Sequence, residues 1–192
     1  MAKRKSTPPA DIYQLKVTLR HSKPPIWRRI QVPGNVLLSK LHRFLQVVMG
    51  WEDYHLHQFI VGGTFYGVPH PSYDDFGMKM ENEGLVKLSQ IAPEEKFKFI
   101  YEYDFGDSWE HELLVEKIMP PQKGIQYPRC VKGKRACPPE DCGGVWGYEE
   151  LIEAINDPKH SEHDDLLEWL GGEFDPEEFD LDAINAVLAR IR

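Results

Sequence analysis

One short stretch of the chain, residues 103–111, carries the side chains best suited to chemistry. It reads Tyr-Asp-Phe-Gly-Asp-Ser-Trp-Glu-His and contains four titratable candidates: Asp104, Asp107, Glu110 and His111. Carboxylates beside an imidazole can perform acid–base catalysis or hold a cation. The structural alternative is that Asp and Gly simply make the turn. His111 lies on the same alternating face as Trp109 and Leu113, and an inward histidine is typical of a hydrogen-bonded core.

The three cysteines lie close together in a Pro- and Gly-rich segment with the spacing C-x6-C-x4-C. Thiolate and imidazole are the preferred ligands of structural zinc, which needs four of them. The predicted zinc ligands are Cys130, Cys137, Cys142 and His111, with His163 and His160 as second choices for the fourth. Two alternatives stay open: a redox or partial disulfide pair, which leaves one thiol over, and ordinary buried thiols.

A third candidate is the pair His55 and His57, which share one face of a predicted strand. With Asp74 and Asp75 further along the chain, such a pair could form a hydrolytic metal centre. The structural alternative is a polar outer face on an edge strand. No second motif of a metal-dependent hydrolase accompanies the pair.

The charge of the chain is unevenly distributed. The formal net charge is −8, yet residues 140–182 contain sixteen acidic residues and one basic residue, Lys159, while residues 1–139 carry a small basic excess. The acidic segment is interpreted as a solvated helical face, as a surface for a basic partner, or as a region that docks on the basic front. We expect a protein partner that is itself basic.

For residues 1–139, which carry the basic excess, a competing interpretation is a basic patch that binds nucleic acid. Trp27, Arg28 and Arg29, with Lys132, Lys134 and Arg135, could combine cations with an aromatic ring as nucleic-acid sites do. So few cations, opposed by the acidic segment, make nucleic acid possible but not favoured. No apolar run approaches the length of a membrane span and no secretory signal is present, so we expect a cytoplasmic protein.

Hydrophobic periodicity predicts the elements that position these residues. The predicted strands are 12–19, 26–32, 55–61, 64–68 and the hairpin 97–103 with 109–118. Leu41, Phe44, Leu45 and Val48 predict a helix that Ser39 caps and Gly50 ends. Residues 69–96 are predicted to be irregular, with a short strand at 85–88.

The second half of the chain is predicted to be a loop and then helices. Residues 120–146 form the long Cys/Pro/Gly loop, and helices follow at 148–155, at 162–170, and after 175–178 with a break near Asp180. The fold class is α+β: a mixed or antiparallel sheet with one N-terminal helix packed on it, the loop, and a helical C-terminal part. Residues 1–10 are a disordered basic tail, and 11–192 form one domain with a sheet part (11–119) and an acidic helical part (147–192).

Several blocks of sequence, in order, carry a family resemblance that spans roughly residues 11–190. They are Ile12–Val17, Pro25–Arg29, Tyr103–His111, Cys137–Gly144, Asp157-Pro158, Glu168–Leu170 and Phe174–Pro176. In these blocks the chain resembles the plasmid Ri "open reading frame three"-like family, whose members are often labelled insertion-element passenger proteins of TnpR type. The resemblance implies one α+β domain and a link to plasmids or insertion elements. It implies no agreed catalytic residues, and the chain shows no serine-recombinase pattern that would carry a resolvase activity over.

Two functional hypotheses follow. The first is a non-enzymatic interaction module, stapled by its cysteine segment and binding a partner through the acidic helical part or the groove between hairpin and loop. The second is a metal-dependent enzyme acting on nucleic acid or nucleotides, with Asp104, Asp107, Glu110 and His111 around a cation. The family blocks at 103–111 and 137–144 contain the hairpin candidates and two of the three cysteines. This overlap strengthens the hairpin and the cysteine segment as functional-site candidates.

Overall fold

The fold is a mixed α+β arrangement built on a single sheet, in a computed structural model that describes residues 10–70 and 79–191. Within these ranges eight strands form the sheet in the order β5-β4-β3-β6-β7-β1-β2-β8, with every neighbouring pair antiparallel except the parallel β4–β5 pair. The strands are β1 (Ile12–Leu19), β2 (Trp27–Pro33), β3 (His57–Val61), β4 (Thr64–Gly67), β5 (Met80–Asn82), β6 (Lys98–Tyr103), β7 (Trp109–Met119) and β8 (Arg129–Lys134). The predicted α+β class with a mixed sheet is confirmed.

The described residues form five α-helices. They are α1 (Leu38–Met49), α2 (Leu88–Ile91), α3 (Gly144–Asn156), α4 (His163–Trp169) and α5 (Leu181–Leu188). A 3-10 turn at Glu83–Leu85 links β5 to α2. The predicted strand at 85–88 is wrong, because the turn and α2 occupy this stretch and only Lys87 makes a single bridge, to Leu37. The segment predicted to be irregular also contains β5, and its residues 71–78 lie outside the described residues. No helix in the described ranges is long and apolar enough to cross a membrane.

The β6–β7 hairpin is the centre of the core, as the alternating sequence predicts. Tyr101 pairs with His111 and Tyr103 with Trp109 across the hairpin, and all four are fully buried. Helix α1 contributes its own buried stripe to the same core, formed by Leu41, Phe44, Leu45 and Val48. Burial of large aromatic side chains at this junction gives the hairpin a fixed position relative to α1.

The start of α1 differs from the prediction. The N-cap residue is Leu37 in extended conformation and not Ser39, which lies inside the first turn. The amide of Leu38 donates to the carbonyl of Val86 at 2.9 Å. The backbone of a neighbouring segment thus satisfies the first amide of the helix, and no side chain caps it. Gly50 ends the helix in left-handed conformation as expected.

The predicted long loop at 120–146 is wrong over its middle, which is strand β8. This strand pairs with β2, and Cys130 within it is buried. Gly133 lies so close to Phe179 that an added Cβ would be 2.5 Å from the ring. Strand β8 contains glycine and charged residues, so its sequence does not alternate between apolar and polar residues. This is why the sequence predicts a loop there. Residues 129–134 of this segment are held in place by their pairing with β2.

At the edge of β8 that does not face β2, a side chain bonds to the backbone of the strand. The Asn185 amide on α5 accepts from the Cys130 amide at 2.8 Å and donates to the Cys130 carbonyl at 2.9 Å. We expect Asn185→Ala to lower the free energy of unfolding by about 1–3 kcal/mol, because it leaves two backbone groups at a buried residue unpaired. Urea denaturation measures this. Asn156→Ala, which removes an exposed bond within α3, is the matched control, and equal losses for the two variants would contradict the expectation.

The C-terminal helices agree with the prediction in part: α4 lies within the predicted 162–170, and α5 follows the predicted break near Asp180, but α3 and the segment after Asp175 differ. Helix α3 begins at Gly144, and the segment after Asp175 forms a turn in which the Glu178 amide donates to the Asp175 carbonyl. Helix α5 begins only at Leu181, where the Asp180 carboxylate accepts from the Ala183 amide at 2.9 Å. The Asp-Pro pattern therefore marks a turn, and the second Asp is the cap. The predicted basic tail, apart from residue 10, lies outside the described residues.

Candidate functional site

The hairpin turn and the segment 137–144 meet at one end of the sheet. The Asp107 carboxylate accepts from the Gly143 amide at 3.1 Å. An added Cβ on Gly144 would lie only 2.6 Å from the Asp107 carbonyl oxygen, and Gly144 has a positive φ of 71°. Only glycine permits this approach and this backbone conformation together. Two of the blocks that carry the family resemblance are thus in direct contact.

His55 lies between these two segments and is surrounded by carboxylates. Its Nδ1 is 3.7 Å from Asp104 Oδ2, and its Nε2 is 3.7 Å from Glu140 Oε2 and 3.1 Å from Asp141 Oδ1. We call His55, Asp104, Glu140 and Asp141 the His55 centre. His55 Nε2 and Glu140 Oε2 are both buried and make no hydrogen bond. Buried polar atoms without partners are rare, so this centre calls for a functional explanation.

Aromatic residues of the core hold the centre in place. The Tyr103 hydroxyl donates to Glu140 Oε1 at 3.0 Å and accepts from the Tyr54 amide. Burial first, and then the neighbouring Glu140, raise the pKa of Tyr103 well above its usual value, so the phenol remains a neutral donor. The Trp51 indole donates to the Pro138 carbonyl at 3.0 Å and its ring stacks on Tyr103. These bonds hold the segment 137–144 at Pro138 and at Glu140.

The four predicted hairpin residues do not converge on one point. Asp104 and Asp107 face the 137–144 segment, but Glu110 points away and forms an ion pair with Arg20. His111 is fully buried in the core, where desolvation lowers its pKa to about 4. Neighbouring strand residues point to opposite faces, which separates Glu110 from His111. The hairpin therefore supplies one residue, Asp104, to the His55 centre.

The predicted zinc ligands are not brought together. Among the described residues, no group of three or more His, Cys, Asp or Glu ligand atoms within 4.8 Å of one another contains a cysteine. The Cys130 thiol lies near the carbonyls of Arg29 in β2 and Lys132 in β8. Burial raises the pKa of all three cysteines, that of Cys142 to about 12 and that of Cys137 further. All three cysteines are free thiols. This arrangement favours the alternative of ordinary protonated thiols.

The second-choice histidines have other contacts. His163 Nδ1 is bonded to the Ala154 carbonyl at 2.9 Å, where it joins α4 to α3. His160 accepts from the Glu162 amide through Nδ1. Structural zinc at the cysteines therefore remains a prediction without geometric support, and metal analysis of the purified protein would test it.

The structure separates His55 from His57, which the sequence pairs. His57 stacks on His42 of α1 with ring centroids 3.4 Å apart and planes 2° from parallel. A metal ion lies in the plane of each imidazole that ligates it, and two parallel planes at this separation share no such point. Asp74 and Asp75, the predicted further ligands, lie outside the described residues. The stacked pair is thus not a convincing metal centre.

The His42–His57 pair is instead part of a buried hydrogen-bond network. His42 Nδ1 is 2.8 Å from the Tyr101 hydroxyl and Nε2 is 2.8 Å from Asp53 Oδ1, while His57 Nε2 is 2.9 Å from Glu83 Oε2. Burial, followed by repulsion from His57, lowers the pKa of His42 to about 4. Nothing in the sequence singles out His42, since a single His in an amphipathic helix resembles a surface residue.

The acidic segment encloses a cleft between α3 and α4, with a volume of about 560 Å³. Its lining combines four carboxylates with apolar side chains and no Lys or Arg. The carboxylates are Asp141, Glu150, Glu153 and Glu162, and the apolar contributors are Leu151, Leu166 and Trp169. Trp169 is 50% exposed. We call this the acidic cleft; Asp141 belongs both to it and to the His55 centre.

The three arginines of the predicted basic patch are bonded within the protein. Arg28 is buried and donates to the carbonyls of Val48 and Lys134, while Arg29 forms a two-pronged pair with Glu116 at 2.6 and 2.7 Å. Arg135 pairs with Glu177 of the acidic segment at 2.6 Å. These arginines are therefore committed to the fold, which weakens the case for a nucleic-acid surface on β2 and β8.

Comparison with known proteins places the chain in one family. The model of the plasmid pRiA4b ORF-3-like proteins matches residues 11–183. A relative, the uncharacterized protein y4hQ of Sinorhizobium fredii, is 40% identical over 162 residues, which cover 84% of this chain and 82% of the relative. The crystal structure of a protein of unknown function from Methanosarcina mazei, MM3350, superposes with a TM-score of 0.79 at 42% identity, covering 91% of this chain and 97% of that one. The chain belongs to the plasmid pRiA4b ORF-3-like family.

Proposed function

We propose that the protein is a non-enzymatic interaction module that binds a Lys- or Arg-bearing segment of a protein partner in the acidic cleft. The observation that carries the proposal is the lining of the cleft, which has four carboxylates and one histidine, His160, but no Lys or Arg. A cationic side chain entering it would meet opposite charge on several sides. Part of the proposal is a cytoplasmic setting, where free thiols such as those of this chain persist.

The aromatic wall of the cleft adds a second attraction for the same ligand. Trp169 stands at the end of α4 and is half exposed. An indole face attracts Lys ammonium or Arg guanidinium by about 0.5–1 kcal/mol at an exposed site. Leu151 and Leu166 can cover the aliphatic part of such a side chain. The cleft is thus suited to a long cationic side chain and repels phosphate-bearing ligands.

The competing hypothesis, a metal-dependent enzyme acting on nucleic acid, has less support from the charges. A duplex would have to approach the carboxylates of the cleft, since Asp141 lies at the edge shared with the His55 centre. Nucleic-acid affinity depends on free Lys and Arg that displace counterions. Arg28 and Arg29, the strongest candidates, are already bonded within the protein.

Binding of a labelled peptide of alternating Lys, Arg and Ser residues, followed by fluorescence anisotropy, tests the proposal. We expect saturable binding that weakens as salt rises, because exposed charges are screened within about 10 Å at 0.1 M. Glu150→Gln combined with Trp169→Ala should weaken the affinity by about 1–2 kcal/mol. A duplex DNA of the same charge density should not compete.

The control is Glu149→Gln, which removes the same charge from the same helix but on the side facing a neighbouring groove. It should leave peptide affinity near the wild-type value. Equal weakening by Glu149→Gln and by the cleft variant would show a general charge effect and overturn the proposal. Absence of saturable binding at low salt would overturn it as well.

A further inference from the structure

The His55 centre is a second potential site, distinct in chemistry from the acidic cleft. It gathers one imidazole and three carboxylates where the hairpin turn meets the segment 137–144. We propose that it binds a divalent cation, with His55 Nε2, Glu140 and Asp141 as ligands and Asp104 as the partner that orients the imidazole.

The charges of the centre are unbalanced without a cation. Among the described residues, the ion pairs of Asp104, Glu140 and Asp141 run only to His55. One imidazolium at most would therefore face three carboxylates. Asp104 is only 7% exposed and Glu140 is 17% exposed at its side chain, so water cannot screen their repulsion as it does at the surface. A doubly charged ion would offset this repulsion.

The unpartnered atoms are the ones that a cation would use. His55 Nε2 and Glu140 Oε2 are buried, make no hydrogen bond and lie 3.7 Å apart. Asp141 Oδ1 is 3.1 Å from the same Nε2. Two ligands that are each about 2.1 Å from one ion lie roughly 3–3.5 Å from each other. These two separations from Nε2 are close to that range. Among the described residues, however, His55, Glu140 and Asp141 do not form a set of ligand atoms that all lie within 4.8 Å of one another, so a rotation of the Glu140 or Asp141 side chain would be needed to bring both carboxylates onto one ion.

Asp104 has a different position and hence a different role. It faces the other ring nitrogen, Nδ1, through Oδ2 at 3.7 Å, while its Oδ1 accepts from the Gly106 amide at 2.9 Å. A carboxylate on Nδ1–H fixes the tautomer that leaves Nε2 free to bind a metal, as in the carboxylate–histidine pairs of metal sites. Asp104 is thus a positioning residue for His55.

The donor set limits the ions that fit. Carboxylates favour hard cations and imidazole favours borderline ones, so Mn²⁺, Fe²⁺ and Zn²⁺ match the combination better than Ca²⁺ does. Exposure of Asp141, 68% at its side chain, leaves one side of the centre open to solvent. That opening leads into the acidic cleft, since Asp141 lines both.

Calorimetric titration of chelator-treated protein with Mn²⁺ and, separately, with Zn²⁺ tests the site. We expect one of the two to bind at a single site and to raise the melting temperature. Glu140→Gln keeps the Oε1 acceptor for Tyr103 and for the Glu52 amide and so should fold. It should weaken the binding of that ion about 10-fold or more, and in the absence of metal its melting temperature should be no lower than that of the wild type.

Two control variants locate the ion. Glu110→Gln removes a carboxylate from the same hairpin that faces Arg20, and Cys142→Ser removes a thiol from the same segment; neither should change the affinity. The proposal is overturned if neither ion binds at about millimolar concentration. It is also overturned if Glu140→Gln binds as the wild type does, or if Cys142→Ser loses the ion. Because the readout is the metal alone, failure here leaves the peptide-binding proposal intact.

Discussion

Acidification from pH 7 to pH 4 should remove several kcal/mol of stability through two buried histidines. Burial lowers the pKa of both His42 and His111 to about 4, compared with 6.5 in an unfolded chain. Between about pH 6.5 and pH 4, these two histidines bind protons in the unfolded state but not in the folded state. The free energy of unfolding therefore falls as the pH falls. The slope is about 1.4 kcal/mol per pH unit for each histidine, or about 3 kcal/mol each over the whole interval.

Urea denaturation at a series of pH values measures this loss. His111→Phe removes one of the two titrations and keeps an aromatic ring beside Trp51 and Tyr101. Its stability should decrease less steeply with falling pH, by up to about 1.4 kcal/mol per pH unit. His160→Gln, at an exposed ring that is hydrated in both states, is the control. An unchanged slope in His111→Phe, or the same change in His160→Gln, would show that His111 is not the responsible group.

Gly144→Ala should be among the most destabilising single methyl additions in the chain. The new Cβ would lie 2.6 Å from the Asp107 carbonyl oxygen, and the residue would have to keep a φ of +71°. The left-handed conformation costs about 1–2 kcal/mol and the steric conflict with backbone about 1–3 kcal/mol more. For a chain of this size, each kcal/mol lowers the melting temperature by roughly 2–4 °C.

Gly171→Ala separates the two contributions. Gly171 has a φ of +76°, but no atom lies within 4 Å of an added Cβ. Only the conformational cost should appear in this variant, so Gly144→Ala should melt clearly lower, as measured by differential scanning calorimetry. Equal melting temperatures would mean that the hairpin and the segment 137–144 are not held in the close contact described here. Gly144→Ala should also weaken metal binding at the His55 centre.

Local patterns predict six of the eight described strands but miss the short β5 and the edge strand β8. The hairpin of β6 and β7 alternates strongly enough for its buried face to be read directly from Tyr101, Tyr103 and Trp109. Strand β8 is different, because its pairing depends on β2, on Asn185 from a distant helix and on a glycine that makes room for Phe179. Such long-range contacts leave no period in the local sequence.

The sequence predicts the residues of the His55 centre separately, and the structure brings them together. Asp104 and His55 were each singled out, but with different partners, and Glu140 and Asp141 entered only as part of a family block. What joins them is the close approach at Gly144 and the Tyr103–Glu140 bond. Spacing along the chain cannot reveal a contact between residues 55, 104 and 140, whereas the three cysteines lie close together in the sequence itself.

The most direct test of the acidic cleft as a partner-binding site is an NMR titration of the indole N–H signals with the Lys/Arg/Ser peptide. The chain has five Trp residues, and they report on different regions. Trp169 lines the cleft, Trp51 and Trp109 are buried in the core, and Trp27 lies beside Lys16 and Arg29 on the sheet. The fifth, Trp146, is exposed on α3 and does not line the cleft. We predict that the Trp169 signal shifts with saturation while those of Trp27, Trp51 and Trp109 stay in place. A saturable shift of Trp27 with Trp169 unchanged would contradict the proposed function.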